Sequence, residues 1–155
     1  MTTAPAPAEI PLADLPAHAG TTFGPSPWRE VTQDEVNRFA DLTGDHNPVH
    51  LDPDFAARTP FGGTIAHGYL TLALVVPLMA DLVQVTGVGT GVNYGLDRLR
   101  FPAPVLVGAR IRVTSRLAEV TAVAGGVQAV FENTVEAEGQ AKPAMVSTMI
   151  VRYYR

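Results

Sequence analysis

Apolar positions follow different spacings in the two halves of the chain, and the change of spacing separates the predicted elements. Val36, Phe39 and Ala40 share one face at helical spacing. Just ahead of them, Thr32-Gln33-Asp34-Glu35 forms a capping box: the Thr32 hydroxyl accepts from the Glu35 N–H, and the Glu35 carboxylate reaches back. Gly44 stands where a left-handed residue would end this helix. Asp45-His46-Asn47-Pro48-Val49-His50 then reads as a polar turn, because Pro48 cannot continue the helix. Asp52-Pro53 opens a second, short helix, with Asp52 as its cap and Pro53 in its first turn. After a Gly-containing loop at Pro60 to Gly63, the stretch from about Gly68 to Val85 is apolar on nearly every side, which predicts a helix enclosed by protein.

Beyond that stretch the residues favour strands. Val88 to Phe101, Arg110 to Val120, Val127 to Glu138 and Met145 to Tyr154 are rich in Val, Ile, Thr and aromatics. Alternation is clear in Arg110-Ile111-Arg112-Val113 and in Val127-Gln128-Ala129-Val130-Phe131, and Pro102, Pro104, Gly108, Gly125, Gly126, Gly139 and Pro143 punctuate the runs. One apolar helix followed by a meander of antiparallel strands is an α+β arrangement. A sheet curled around that helix would bury both. Residues 1–27 hold Pro5, Pro7, Pro11, Pro16, Pro25 and Pro27 with weak periodicity, and are expected to form a Pro/Ala-rich arm, partly ordered at best, with a short turn at Leu12 to Leu15. Residues 28–155 are expected to form a single domain without internal repeats.

Composition narrows what this domain does. At 155 residues, 46% hydrophobic and 17% charged, the chain supports one packed core rather than disorder. A net charge of −4 and the lack of a Lys/Arg run argue against a nucleic-acid partner. The absence of cysteine excludes disulfides, thiolate zinc sites and a cysteine nucleophile, and fits a cytoplasmic protein. Met1 to Ala19 has neither a basic flank nor a continuous apolar stretch, so no secretory signal is expected. The most apolar window, Tyr69 to Ala80, contains Pro77, stops at Asp81 and is too short to span a bilayer, which needs about 20 residues. No membrane partner is expected.

Chemistry concentrates in two blocks. In the first, a turn pinned by Pro48 and by Asn47 side-chain hydrogen bonds can aim Asp45 and His50 at one point. A carboxylate and an imidazole gripping one water make a competent acid/base pair near neutral pH. Taken singly, Asp45 reads as a cap and His50 as an ordinary half-buried histidine; as a pair beside the second block they favour catalysis. That block, Gly63-Thr64-Ile65-Ala66-His67-Gly68, leads into the apolar helix. The first N–H groups of such a helix have no internal partner and carry the positive end of its dipole, so a thioester carbonyl placed at Gly68 would be polarised. Taken alone, His67-Gly68 reads as a tight lead-in to the helix. Asp45, His46, His50 and His67 can be grouped as metal ligands on paper, but they lack the helical histidine spacing of familiar zinc sites, and no metal is expected.

Gly44-Asp45-His46-Asn47-Pro48-Val49-His50, with Ala56 following, resembles the signature of (R)-specific enoyl-CoA hydratases of the MaoC-like group. Gly63-Thr64-Ile65-Ala66-His67-Gly68 and Arg100-Phe101-Pro102-Ala103-Pro104-Val105 with Gly108 are similar as well, and Asn93-Tyr94-Gly95 and Lys142-Pro143-Ala144 look like the NodN-like branch. The resemblance spans roughly Trp28 to Tyr153. It implies a hot-dog fold, a curved antiparallel sheet wrapped around a long central helix, in a homodimer with the sheets joined edge to edge. It also implies a fatty-acyl thioester substrate on coenzyme A or acyl-carrier protein, with no further cofactor. By motif match, Asp45 and His50 are the catalytic pair, Gly68 supplies the oxyanion N–H, and Asn47 and His67 support them. A serine found in the central helix of some members is absent here, where Leu74-Val75-Val76 is apolar. Asp97, Arg98 and Arg100 read as exposed strand charges rather than contacts to coenzyme A phosphates, Tyr69 and Met79 as core rather than the lining of an acyl tunnel, and His18 as chemically idle.

The expected reaction is syn hydration of a trans-2-enoyl thioester, or its reversal. His50 draws a proton from water as the oxygen attacks C3, and Asp45 delivers a proton to C2 while Gly68 holds the carbonyl oxygen. Two other functions suit the same fold: an acyl-CoA thioesterase, and a non-catalytic module that binds acyl thioesters. Hot-dog thioesterases commonly carry their acid on the central helix, whereas Asp45 precedes it.

Overall fold

A computed structural model describes residues 6–155; the first five residues of the expected arm lie outside the described residues. In chain order the elements begin with β1 (Ala8–Pro11), a 3₁₀ turn at Leu15–His18, β2 (Thr22–Phe23) and β3 (Arg29–Glu30). Four helices follow: α1 (Gln33–Thr43), α2 (Pro48–Leu51), α3 (Pro53–Ala57) and α4 (Gly68–Ala80). The chain then runs through β4 (Val83–Thr86), β5 (Thr90–Arg100), β6 (Arg110–Val123), β7 (Gly126–Ala137) and β8 (Met145–Tyr154).

The helix ends follow their local chemistry. Thr32 and Glu35 form the full capping box at the start of α1, and Gly44 closes that helix at φ 79°. The Asn47 side chain caps α2 by accepting from the Val49 N–H, and Asp52 caps α3 by accepting from the N–H groups of Asp54 and Phe55.

The main sheet runs in the order β2-β6-β7-β8-β5, with β3 also pairing β6. All its long-strand pairs are antiparallel. The expected simple meander holds only for β6-β7-β8. β5 instead pairs with β8 at the far edge, and the connection at 101–109 that leads on to β6 is tied to the segment before α4 by a bridge between Ile65 and Leu106. One sheet face is the core, lined by Ile111, Val113 and Leu117 of β6, Ala129, Phe131 and Val135 of β7, and Met145, Met149 and Val151 of β8. The other face carries ion pairs across β6 and β7: Arg110–Glu138, Arg112–Glu136 and Arg116–Glu132.

Helix α4 lies in the same apolar cluster through Leu70, Leu74, Val75, Leu78 and Met79. Its wrapping is incomplete, which differs from the expectation of a fully enclosed helix. Tyr69 is 71% exposed and Val76 46% exposed, so one side of α4 faces outward within a single chain. Tyr69 is therefore not a core residue, whereas Met79 is.

The helix also stops earlier than its apolar run. Val83–Thr86 leaves it and pairs in parallel with Ala8–Pro11. Apolar content continues past Ala80, but β1 offers these residues a backbone partner. The described part of the expected arm is accordingly structured: Ile10, Leu12 and Leu15 are buried in the main cluster, and β2 extends the sheet along β6. Among the described residues no helix is long and apolar enough to cross a membrane.

Candidate active site

The turn after α1 brings its two ends together because α2 is a single helical turn. Asn47 caps it, Pro48 starts it, and His50 lies in its last residues. A carboxylate oxygen of Asp45 and one ring nitrogen each of His50 and His67 lie within 4.8 Å of one another. Two hydrogen bonds of about 2.8 Å meeting at a water's tetrahedral angle span about 4.5 Å. The 4.8 Å bound is compatible with one bridging water.

His50 is oriented by its surroundings. Its Nδ1 lies 2.7 Å from the Ile65 carbonyl oxygen, which can only accept, so Nδ1 carries the proton. The neutral ring then presents its lone pair at Nε2. Its backbone is held too: the Gln33 side-chain amide donates to the His50 carbonyl at 2.9 Å and accepts from the Thr64 hydroxyl at 2.8 Å. Asp45 is exposed, and the contacts to its carboxylate are slight, the Asn47 N–H donating to Oδ1 at 3.4 Å. Asn47 does hold the turn, through its acceptance from Val49 at 3.1 Å.

His67 is 2% exposed and makes contact with both partners. Its ring stacks on His50 with centroids 3.8 Å apart and 27° between planes. Its Nε2 donates to the Asp45 backbone carbonyl at 2.9 Å. Its Nδ1 is buried without a hydrogen-bond partner among the described residues. The three side chains make a weak metal cage. Each imidazole has committed one nitrogen to a carbonyl, so at most three donors, one of them an exposed carboxylate, are left for an ion. A bound water asks less of them.

Gly68 is the first residue of α4, directly after His67. With His50, Thr71, Phe61, Phe101 and Pro104 it lines a cavity of about 350 Å³ whose wall is otherwise apolar. A Cβ at Gly68 would meet the Phe101 ring at 3.0 Å, so a larger residue here must displace that ring. The Arg100-to-Val105 segment supplies the opposite wall through Phe101, Pro102, Ala103, Pro104 and Val105. A second apolar groove of about 340 Å³ runs along Tyr69, Leu72, Ala73 and Val76 of α4 beneath Asn93 and Leu96 of β5.

All five residues singled out from the sequence therefore lie around one turn and one helix end: Asp45, His50 and His67 cluster, Gly68 shares the cavity wall with His50, and Asn47 caps α2. His46 does not join them; it pairs with Asp41 at 2.9 Å on the surface, and that hydrogen bond raises its pKa above the ordinary histidine value. Arg98 and Arg100 are exposed. Sequence reading missed Gln33, Phe39 and the Ile65 carbonyl. Gln33 bonds to residues 17 and 31 positions away, a link that no local spacing encodes.

Known proteins share this arrangement of elements. The MaoC like domain matches residues 14–140. The 3-hydroxyacyl-thioester dehydratase Z of Mycobacterium tuberculosis is 54% identical over 143 residues, which cover 92% of this chain and 95% of that protein. Nodulation protein N of Rhizobium leguminosarum bv. viciae is 41% identical over 145 residues, covering 92% and 90%. The solved (R)-hydratase from A. caviae superposes with a TM-score of 0.66 at 30% identity, covering 86% of this chain and 94% of that one. The fold is thus the hot-dog fold, and the chain belongs to the MaoC-like family.

Proposed function

We propose that this protein is a hydro-lyase that adds water to trans-2-enoyl thioesters, or removes it from (3R)-hydroxyacyl thioesters, with Asp45 and His50 as its acid/base pair. The observation that carries this reading is the fixed tautomer of His50: its Nδ1–H is spent on Ile65, and its Nε2 lone pair is left free on a ring within one water's reach of Asp45. His50 Nε2 takes one proton from the bridging water as the oxygen bonds to C3. The charge moves to the thioester oxygen, where the Gly68 N–H at the amino end of α4 stabilises it. The Asp45 carboxylate passes the water's second proton to C2. The imidazolium then returns its proton to the new C3 oxygen, so one water is added and both side chains end as they began. The thioester, on coenzyme A or acyl-carrier protein, is the substrate, and the reaction uses no metal or resident cofactor. The (R) sense of addition follows the likeness to the A. caviae (R)-hydratase.

The working unit in this reading is a homodimer. β5 is the open edge of the main sheet and exposes Val92, Tyr94 and Leu96, next to the open side of α4 with Tyr69 and Val76. A second copy added along this edge would cover that patch. Sedimentation of the double variant Val76→Asp/Leu96→Asp, against a dimeric wild type, tests it; a variant that stays dimeric rules this surface out.

The catalytic reading is tested by following loss of the enoyl absorbance on trans-2-enoyl-CoAs of graded length, with chiral analysis of the product. Asp45→Asn and His50→Gln should each stay folded and lose at least about 10²-fold in turnover. Near-normal turnover in both variants removes the mechanism. An (S)-product contradicts the stereochemistry, and release of free coenzyme A from a saturated acyl-CoA, without hydration, replaces it with a thioesterase.

A further inference from the structure

Asp45 is held to the rest of the protein by little. Its N–H donates weakly to Thr43 Oγ1 at 3.4 Å, its carboxylate accepts weakly from the Asn47 N–H at 3.4 Å, and His46 bonds to Gly44 and Asp41. All these contacts stay within the segment from α1 to the turn. The remaining contact is the 2.9 Å hydrogen bond from His67 Nε2–H to the Asp45 carbonyl, which joins residues 22 positions apart. The same ring stacks on His50 at 3.8 Å, and Phe39 packs against it at 4.9 Å. The His67 carbonyl accepts from the Thr71 N–H at 3.1 Å and from the Thr71 hydroxyl at 3.3 Å, which fixes this residue to the first turn of α4.

We propose that His67 is the positioning residue of this site: it sets the separation between the Asp45 carboxylate and the His50 ring, and ties both to the helix end that presents Gly68. This rests on the roles proposed above for Asp45 and His50. His67 does not handle a proton of the reaction. Its one N–H is committed to a backbone carbonyl and its other nitrogen is buried. Its contribution is geometric. Without the donor, the exposed Asp45 loses the hydrogen bond that ties its backbone to the residue leading into α4. Misplacing a catalytic group by about 1 Å costs on the order of 10²-fold in rate.

Three variants separate the two contacts. His67→Phe keeps a ring against His50 and loses the donor; His67→Gln keeps a donor in reach of the Asp45 carbonyl and loses the ring; His67→Ala loses both. Turnover by His67→Phe should be slower by about 10- to 10²-fold with KM changed less than about threefold, and most of that loss should be recovered in His67→Gln. Amide hydrogen exchange across residues 44–47 should speed up in His67→Phe and not in His67→Gln. Wild-type turnover in His67→Phe overturns the proposal, as does an equal loss in Phe and Gln variants with unchanged exchange at 44–47, which is what core packing alone would give. Should the Phe variant not fold, nitrogen-15 NMR of labelled histidine in the wild-type protein decides: His67 must carry its proton on Nε2, and a proton on Nδ1 overturns the proposal. Asp45→Asn and His50→Gln run beside these variants. If those two remain active, the acid/base assignment has failed; if they are inactive while His67→Phe is fully active, only the positioning role has.

Discussion

Replacing Gly68 by alanine tests whether the amino end of α4 acts on substrate or merely begins a helix. The added Cβ would lie 3.0 Å from Phe101 Cε2 and 3.1 Å from Cζ, closer than carbon atoms rest. Phe101 is 40% exposed, so its ring can swing outward by the needed fraction of an ångström. That displacement costs about 1 kcal/mol, at the low end for overpacking. Against it, alanine is favoured over glycine in a helix by up to about 1 kcal/mol. The two nearly cancel, so the melting temperature should stay within about 4 °C of wild type. Activity should respond quite differently. The methyl group takes up part of the 350 Å³ cavity on the wall that Gly68 shares with His50, and keeps a thioester oxygen from reaching the N–H. Losing one oxyanion donor lowers turnover by about 10²–10³-fold. The assay is steady-state hydration of an enoyl-CoA beside thermal unfolding of the same preparation. The double variant Gly68→Ala/Phe101→Leu removes the ring contact, and should not regain rate. A folded Gly68→Ala protein with wild-type turnover refutes the oxyanion argument; recovery of rate in the double variant shows instead that a displaced Phe101 was blocking the cavity.

Other consequences follow from the residues around the site. Gln33→Ala removes three side-chain hydrogen bonds, to the His50 carbonyl, to Asn37 Oδ1 and from the Thr64 hydroxyl, and should lower unfolding stability by about 1–2 kcal/mol and reduce kcat more than it changes KM; an unchanged kcat would show that His50 is held without it. Desolvation raises the Glu35 carboxyl pKa, but the Thr32 N–H and the Arg29 guanidinium outweigh it and hold the group below its ordinary value of 4.5. Its stabilisation is therefore present above about pH 4.5 and fades as pH falls through the lower folded value. Glu35→Gln should cost about 1 kcal/mol at pH 7 by denaturant unfolding, with the gap to wild type closing in acid; a gap that persists at low pH would show that the charge is not the cause. Burial pushes the Tyr153 phenol up to about 12, so an ultraviolet titration should show a tyrosine step near that pH that is missing from Tyr153→Phe. An unchanged titration in the variant assigns the step elsewhere.

The parts of the site that were legible in the sequence are those built by contacts between near neighbours. Thr32 with Glu35, Gly44, Asn47 with Val49 and Asp52 with Phe55 are caps and turns whose partners lie within four residues, so residue type and spacing fix them. Asp45 and His50 converge by the same kind of contact, since one capped turn of helix separates them. What escaped depends on chain brought from far away. Val83–Thr86 reads as a continuation of an apolar helix because its strand partner, Ala8–Pro11, lies more than seventy residues earlier in a segment without alternation. The β5–β8 pairing is hidden likewise, because alternation identifies a strand but not its neighbour. The open side of α4 is hidden for a different reason. Its exposed Tyr69 and Val76 look, as residue types, like any core position, and only the placement of β5 on the sheet edge leaves them uncovered. Gln33 and His67 belong to this long-range class: the turn carries Asp45 and His50, and residues from α1 and from just before α4 contact them across the chain. The chemistry is local and its precision is not, so substitutions at positions 33, 39 and 67 should loosen the site without removing any of its reacting groups.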